Sequence, residues 1–300
     1  MAVRFRHRLE YAFFRSFEAV LNALPLWAAY AAAAAVAAIA YRLFPARPRE
    51  ARRRIAQVFP EKSPREIDRI ARLSLRNLFF NAVELARAPT LDARWIERHV
   101  DYQSFVQTVQ PHLTPGRGAI FVIPHMGNWD LTGIVGARRF RFPMFFIVGR
   151  QRNPLTDARL HRLRSATGLE FLYREDDNVR TILRNLKQGK IFGVVPDVRM
   201  PMPGIPVTLF GFPADLPAGP AVFARRANVP IIIGYARRVG WSRHVWHFEP
   251  PIFPDEERPA DDEAKALTQR MADVFTRAVQ AHPDQYFWYN RRWVLEPREG

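Results

Sequence analysis

The chain has 300 residues, 48% of them hydrophobic, and a formal charge of +16 that comes mainly from arginine, since only four lysines occur. This length suits one catalytic domain with an appendage, and the absence of cysteine excludes a disulfide framework, a thiolate nucleophile and a cysteine-bound zinc ion. The positive charge favours an anionic partner, which is nucleic acid, an anionic lipid headgroup or an acidic carrier protein.

The N-terminal segment is basic and aromatic up to Arg15, and it is uncharged from Ala19 to Tyr41. As a helix, the uncharged run is long enough to cross a hydrocarbon core of about 30 Å, although it is rich in alanine and contains Asn22 and Pro25. Arginines lie on both sides of the run, so the positive-inside rule assigns no orientation. A membrane anchor that spans the bilayer or lies in its interface, a buried soluble helix and a cleaved signal peptide are all compatible with this pattern.

We divide the chain near residue 45, where prolines predict a hinge. Residues 1–45 form the predicted membrane-anchoring segment, and residues 46–300 form the predicted catalytic domain. That domain has a helical lead-in over 46–115 and an α/β core over 116–300. In the lead-in, Ser63 and Glu66 have the spacing of a capping box at the start of a helix.

In the core, apolar runs alternate with helical patterns. The predicted strands are Ala119–Ile123, Phe142–Val148, Leu169–Tyr173, Ile191–Val195 and Val229–Tyr235. The predicted helices are Trp129–Val135, Asn153–Thr167, Asn178–Lys187, Pro220–Ala227 and Asp261–His282. This alternation indicates an α/β fold with a mixed, mostly parallel sheet flanked by helices, preceded by the helical membrane-associated segment.

The stretch Gly116–Asp130 carries the main chemical signal. Pro124 ends its apolar run, so His125 is expected at the carboxyl end of a strand and Asp130 in the first turn of the next helix. On one continuous helix these two side chains would point about 140° apart, so they can meet only across an intervening turn. A carboxylate that holds one imidazole nitrogen prepares the other to deprotonate an alcohol. A purely structural His–Asp contact in the loop is the alternative interpretation.

The same stretch, Gly-Arg-Gly-Ala-Ile-Phe-Val-Ile-Pro-His-Met-Gly-Asn-Trp-Asp, resembles the acyltransferase motif of the bacterial lipid A late acyltransferases. Their superfamily includes the phosphatidylinositol mannoside acyltransferases. Two later stretches, Val195–Gly211 and Pro283–Trp293, resemble further motifs of this superfamily in the same order. The resemblance covers nearly the whole chain, and it implies a glycerolipid acyltransferase-like fold and O-acyltransferase activity.

The resemblance implies that His125 and Asp130 are catalytic, with Asp130 orienting His125 as the general base. Six residues are expected to bind substrate, the arginines through phosphates of the carrier or the acceptor: Asn128, Arg150, Asn153, Arg164, Asp197 and Arg199. Arg152 is an alternative to Arg150, because the arginine of the family pattern falls on a glycine here. Structural alternatives are a solvated helix face for Arg164 and a loop cap for Asp197. No metal site is predicted, and no cofactor besides the acyl donor.

The sequence therefore predicts a membrane-associated O-acyltransferase. It would move a fatty acyl chain from an acyl thioester, on acyl carrier protein or coenzyme A, to a hydroxyl of a glycolipid or lipid A-type acceptor. The expected partners are this membrane lipid, an anionic membrane surface and the donor, with no nucleic acid, and the expected location is the inner membrane with the catalytic domain facing the cytoplasm. The alternatives are a basic membrane-attached protein that binds nucleic acid or lipid without catalysis, and a catalytically silent family member that acts as a scaffold.

Overall fold

A group of N-terminal helices packs against an α/β domain. The computed structural model describes residues 3–176 and 178–296. Its helices are α1 (Phe5–Ala23), α2 (Leu26–Leu43), α3 (Ala46–Val58), α4 (Pro64–Ala86), α5 (Ala93–His99), α6 (Gln103–Thr108), α7 (Trp129–Arg139), α8 (Pro154–Ser165), α9 (Val179–Lys187), α10 (Gly219–Ala227) and α11 (Ala260–Ala281). Its strands are β1 (Val100–Asp101), β2 (Ala119–Val122), β3 (Met144–Val148), β4 (Glu170–Tyr173), β5 (Ile191–Val194), β6 (Ile205–Leu209), β7 (Phe212–Leu216), β8 (Ile231–Val239) and β9 (Arg243–Phe248).

The main sheet has seven strands in the order β1-β9-β8-β2-β5-β3-β4. Neighbouring strands in it are parallel except for β8 and β9, which are antiparallel. Strands β6 and β7 form a separate antiparallel hairpin. The predicted α/β class with a mostly parallel sheet is confirmed, and each predicted strand of the core is present, whereas β1, β9 and the hairpin were not predicted.

The central strand β2 shows why the strands of the core could be predicted from the sequence. Ile120 and Val122 pack on the face covered by α10 and α11, whereas Ala119 and Phe121 pack on the face covered by α5, α6 and α7. A strand that is buried on both faces has no polar alternation, and its sequence is a continuous apolar run.

The uncharged N-terminal run forms α2, which lies along α4. Near one end of α2 the ring of Tyr30 meets Phe80 edge to face at 4.9 Å between centroids. Near the other end the Tyr41 hydroxyl donates to Asp68 at 2.6 Å. Among the described residues, one helix, α2, is long enough and apolar enough to cross a membrane, judged by length and composition alone. Its small residues face the protein, and larger apolar side chains on its other side are exposed.

The capping box predicted for the lead-in is present at the start of α4. The Glu66 backbone N–H donates to Ser63 Oγ at 3.4 Å, and the Ser63 backbone N–H donates to Glu66 Oε2 at 2.8 Å. From this start α4 runs unbroken to Ala86, which brings its last turns beneath the loop that follows β2.

Candidate active site

Two neighbouring strands, β2 and β5, deliver a histidine and an aspartate to the same edge of the sheet. Their parallel register pairs Val122 with Val194, and the same register continued for three residues sets His125 against Asp197. His125 Nδ1 lies 2.7 Å from Asp197 Oδ1, and the His125 backbone N–H donates to Asp197 Oδ2 at 2.9 Å. Since the carboxylate can only accept, the Nδ1 atom carries the proton and Nε2 is left as the proton acceptor.

The two side chains of this pair differ in exposure. The Asp197 side chain is 0% exposed, whereas that of His125 is 20% exposed. Burial, together with the negative charge of Asp197, raises the pKa of Tyr286 well above its usual value, so this phenol stays protonated beside the carboxylate. A buried carboxylate is thus surrounded by proton donors, and it presents an imidazole to solvent.

The prediction that Asp130 orients His125 by a hydrogen bond is wrong, because Asp197 is the carboxylate that bonds to the imidazole. Asp130 accepts from Arg164 Nε at 3.1 Å, and in the described part of the chain no hydrogen bond joins Asp130 to His125. The chain turns between the two residues, so the first turn of α7 faces α8, while the end of β5 lies directly beside the end of β2. Asp130 and Arg164 still line the same cavity as His125. The catalytic roles assigned to His125 and Asp130 stay predictions.

The segment near residue 286 fixes the backbone of the loop after His125. The Phe287 N–H donates to the His125 carbonyl at 2.9 Å, and the Gly127 N–H donates to the Gln285 carbonyl at 2.9 Å. Gly127 has a φ of +58°, and a Cβ atom there would lie 2.1 Å from the Ala236 carbonyl oxygen. Only glycine fits this position, which makes the loop a rigid support for the imidazole.

Below this loop Glu84 of α4 forms the centre of a buried polar cluster. Its carboxylate accepts hydrogen bonds from five donors: Tyr30 Oη at 2.5 Å, Arg238 Nη1 at 2.6 Å, Arg238 Nη2 at 2.7 Å, His244 Nε2 at 2.9 Å and the Asn128 amide. Burial would raise the pKa of Glu84, but the charge of Arg238 outweighs that effect and the pKa lies well below its usual value. The cluster joins α2, α4, β8 and β9 to the loop that carries His125.

The two asparagines that were expected to bind substrate make hydrogen bonds within the protein. Asn128 is 2% exposed, caps α7 by accepting from the Leu131 N–H at 3.0 Å, and donates to Glu84. Asn153 is also buried, caps α8 and donates to the His7 carbonyl at 2.8 Å. Both amides are engaged by the protein, Asn128 at the loop after β2 and Asn153 at α1, and their substrate-binding roles stay predictions. Among the described residues that line the cavity beside His125, neither occurs.

Two expected substrate-binding arginines lie beside the cavity. Arg150 stacks over the Tyr173 ring at 3.7 Å and lies 3.5 Å from Asp176. The backbone N–H of Arg199 donates to the Arg292 carbonyl at 2.8 Å, which ties the end of β5 to the segment after Phe287. Neither arginine is among the described residues that line the cavity, whereas Arg164 is.

His125 opens onto a cavity of about 550 Å³. The pairing of β3 with β5 ends at Phe146 and Gly193, while β3 continues beside β4 as far as Val148, so the sheet opens between β3 and β5. Apolar side chains of these strands and of α10 line the opening: Phe146, Ile147, Val148, Leu169, Phe171, Phe192, Val194 and Phe223. Strand β3, which is rich in phenylalanine, thus forms one wall of the cavity. The volume is within the range of about 300–1,000 Å³ typical of ligand sites.

The fold and the site together define an α/β enzyme in which a histidine that is hydrogen-bonded to a carboxylate opens onto a largely apolar cavity. The sequence matches the model of the bacterial lipid A biosynthesis acyltransferase family over residues 3–294, and the chain belongs to that family. It is therefore an acyltransferase, as the resemblance predicted.

Three individual proteins are also similar to this chain. The chain is 25% identical over 222 residues to the phosphatidylinositol mannoside acyltransferase of Mycobacterium tuberculosis, covering 72% of this chain and 68% of the relative. It is 24% identical over 255 residues to the phosphatidylinositol mannoside acyltransferase of Mycolicibacterium smegmatis, covering 83% and 80%. It is 25% identical over 282 residues to the lipid A biosynthesis lauroyltransferase of Escherichia coli, covering 91% and 88%.

Proposed function

We propose that this protein transfers a fatty acyl chain from an acyl thioester to a hydroxyl group of a glycolipid or lipid A-type acceptor, with His125 as the general base and Asp197 as the residue that orients it. The observation that carries the proposal is the hydrogen-bonded pair of His125 and Asp197 at the mouth of the apolar cavity. Membership of the lipid A acyltransferase family supports the acceptor class.

The geometry supports direct transfer without a covalent enzyme intermediate. His125 Nε2 accepts the proton of the acceptor hydroxyl while its Nδ1–H stays bonded to Asp197, whose charge stabilises the imidazolium. The acceptor oxygen attacks the thioester carbonyl, and the tetrahedral intermediate then expels the thiolate, which receives the proton from His125. Asp130 holds Arg164 at the cavity wall, where the guanidinium stabilises negative charge that develops on the carbonyl oxygen.

The acyl chain would occupy the opening between β3 and β5. A hydrocarbon chain needs contact with apolar side chains and no hydrogen bonds, and the lining away from His125 supplies such a surface. Asp130 and Arg164 share the cavity lining with the imidazole, beside which the thioester would lie.

We further propose that α1 and α2 attach the protein to the membrane by lying in its interface. Large apolar side chains on both helices are exposed: Phe5, Leu9, Phe13, Val20, Trp27, Val36, Ile39 and Leu43. Arginines of α1 accompany them, and such a combination binds anionic lipid headgroups and the acyl boundary together.

The packing of α2 favours this arrangement over a membrane-spanning one. Both ends of α2 contact α4, through Tyr30 and Glu84 at one end and through Tyr41 and Asp68 at the other. A bilayer built around α2 would therefore surround Asp68 and the arginines of α4 with hydrocarbon, which is strongly unfavourable. With α2 in the interface of the inner membrane, the α/β domain lies on the cytoplasmic side, where acyl thioesters of carrier protein or coenzyme A are available.

The test uses the full-length protein with an acyl thioester donor and vesicles that contain a hydroxyl-bearing glycolipid. We expect His125→Ala to lower acyl transfer by at least about a thousandfold, because the general base is lost, while thermal unfolding changes little, since the ring is partly exposed. His161→Ala is the matched control, since His161 lies on α8 and not among the described residues that line the cavity. Transfer by His125→Ala at the wild-type rate would refute the mechanism.

A further inference from the structure

Among the described residues that line the cavity, the arginines Arg174 and Arg292 form no salt bridge, although Glu175 lies near Arg174. Arg174 follows β4 and Arg292 belongs to the segment after Phe287, and both line the same cavity as His125. Of the other arginines at this edge, Arg150 pairs with Asp176 and Arg164 pairs with Asp130, and Arg291 also lines the cavity. Within residues 3–176 and 178–296, no carboxylate lies within ion-pair distance of the guanidinium of Arg174 or Arg292.

The backbone holds both arginines in place. The Arg174 N–H donates to the Val148 carbonyl at 2.9 Å, and its Nη1 atom lies 4.0 Å from where a side chain at Gly149 would begin, so the guanidinium lies over the end of β3. The Arg292 carbonyl accepts from the Arg199 N–H at 2.8 Å. Both side chains line the same cavity; burial and the charge of Arg292 lower the pKa of Arg174, whereas the carboxylate of Glu175 raises it.

We infer that Arg174 and Arg292 form a binding site for a phosphate ester, and that the ester is the phosphate of the pantetheine arm that carries the acyl group. Two guanidinium groups on the lining of one cavity suit the charge of a phosphate, which would offset their mutual repulsion. The inference rests on the proposed function, because it takes the thioester to lie beside His125.

The spacing across the sheet favours the donor as the source of the phosphate. Strand β4 is the third neighbour of β2 in the sheet, which corresponds to about 14 Å at roughly 4.8 Å per strand. A pantetheine arm has as many bonds between phosphate oxygen and sulfur as four residues of backbone, which span about 14 Å when extended. An arm with its phosphate at Arg174 therefore reaches the thioester position at His125. A phosphate on the acceptor lipid has the same chemistry and is the second source to be tested.

The experiment measures binding without turnover, using S-dodecyl phosphopantetheine and S-dodecyl pantetheine, whose thioether cannot transfer the chain. We expect the wild type to bind the phosphorylated probe at least about tenfold more tightly, as for a charge-assisted contact at a partly exposed site. The double variant Arg174→Gln/Arg292→Gln should bind both probes equally. Arg180→Gln, an exposed position on α9, is the matched control and should keep the preference.

The outcomes separate the two sources and the two proposals. In one outcome, the wild type binds the two probes equally while the double variant raises KM for a phosphate-bearing acceptor and not for its dephosphorylated form. That result would confirm the phosphate-ester site and show that its phosphate comes from the acceptor and not from the donor. If neither the probe preference nor that KM changes in the double variant, the site is refuted. A wild type that shows the probe preference but transfers no acyl chain refutes the proposed function and leaves the phosphate site standing.

Discussion

Replacing Asp197 with asparagine removes one of the two acceptors on which the histidine depends. The Asp197 carboxylate uses Oδ2 for the His125 backbone N–H at 2.9 Å and Oδ1 for Nδ1 at 2.7 Å. Asparagine has only one oxygen at the same position, and the backbone N–H, which cannot move, claims it. The NH₂ group then faces Nδ1 and forces the ring proton onto Nε2, where it blocks the acceptance of a proton from the alcohol.

The expected loss follows from this wrong tautomer. We predict that Asp197→Asn lowers kcat for acyl transfer by about 10³–10⁴-fold, as when an oriented histidine loses its carboxylate, which corresponds to about 4–5.5 kcal/mol of transition-state stabilisation. KM for the donor should change little, because Asp197 lies beneath the imidazole and has a side-chain exposure of 0%.

Asp130→Asn is the matched control, since it makes the same carboxylate-to-amide change at a residue that lines the cavity beside His125. It should lower kcat by only about tenfold, because it weakens the hold on Arg164 and leaves His125 untouched. The assay is initial-rate transfer into glycolipid vesicles, with thermal unfolding to establish that each variant folds. A nearly normal rate for Asp197→Asn, together with loss of activity in Asp130→Asn, would refute the reasoning and return the orienting role to Asp130.

Three further predictions concern stability, pH and membrane binding. Glu84→Gln should lower the free energy of unfolding in urea by about 3–5 kcal/mol, because Arg238 is left buried without its counter-charge; a loss below 1 kcal/mol would contradict the assigned network. Burial lowers the pKa of His244 below its usual value near 6.5, so the unfolded chain takes up a proton that the folded chain refuses, and stability should fall as pH drops below about 6.5. His244→Gln should make that slope shallower by up to about 1.4 kcal/mol per pH unit, and an unchanged slope would show that this ring is not the source. Phe13→Ser, at a side chain with 77% exposure on α1, should weaken binding to anionic vesicles about tenfold, whereas Phe253→Ser on the α/β domain should not; equal effects in sedimentation would argue against α1 as the contact.

The α/β core could be predicted because its strands are buried on both faces. Such strands give apolar runs, as Ala119–Ile123 does, and α7 and α8 begin at capping asparagines. The β6–β7 hairpin was missed because Pro206 and Pro213 lie within its strands and read as breaks. Strand β9 alternates polar and apolar residues beside an antiparallel neighbour, a weaker signal than the parallel runs.

The position of His125 could be predicted, but its partner could not be read from proximity in sequence. The nearest carboxylate, Asp130, is five residues away. The partner, Asp197, follows β5, which lies beside β2 in the sheet although β3 and β4 separate the two strands in sequence. One signal was available, since an aliphatic residue and a proline precede both His125 and Asp197 at equivalent strand ends. Glu84 gave no such signal, because a glutamate on a helix is usually solvated, and only tertiary structure shows its burial.

The bond from the Phe287 N–H to the His125 carbonyl has a consequence for how the enzyme matures. The loop after β2 is synthesised long before Phe287. It takes its final shape only when the segment that contains Phe287 has packed against it. During translation the sheet can assemble around an imidazole that is not yet set for chemistry. Nascent chains of this protein should therefore be unable to acylate lipid until the residues around Phe287 have emerged from the ribosome.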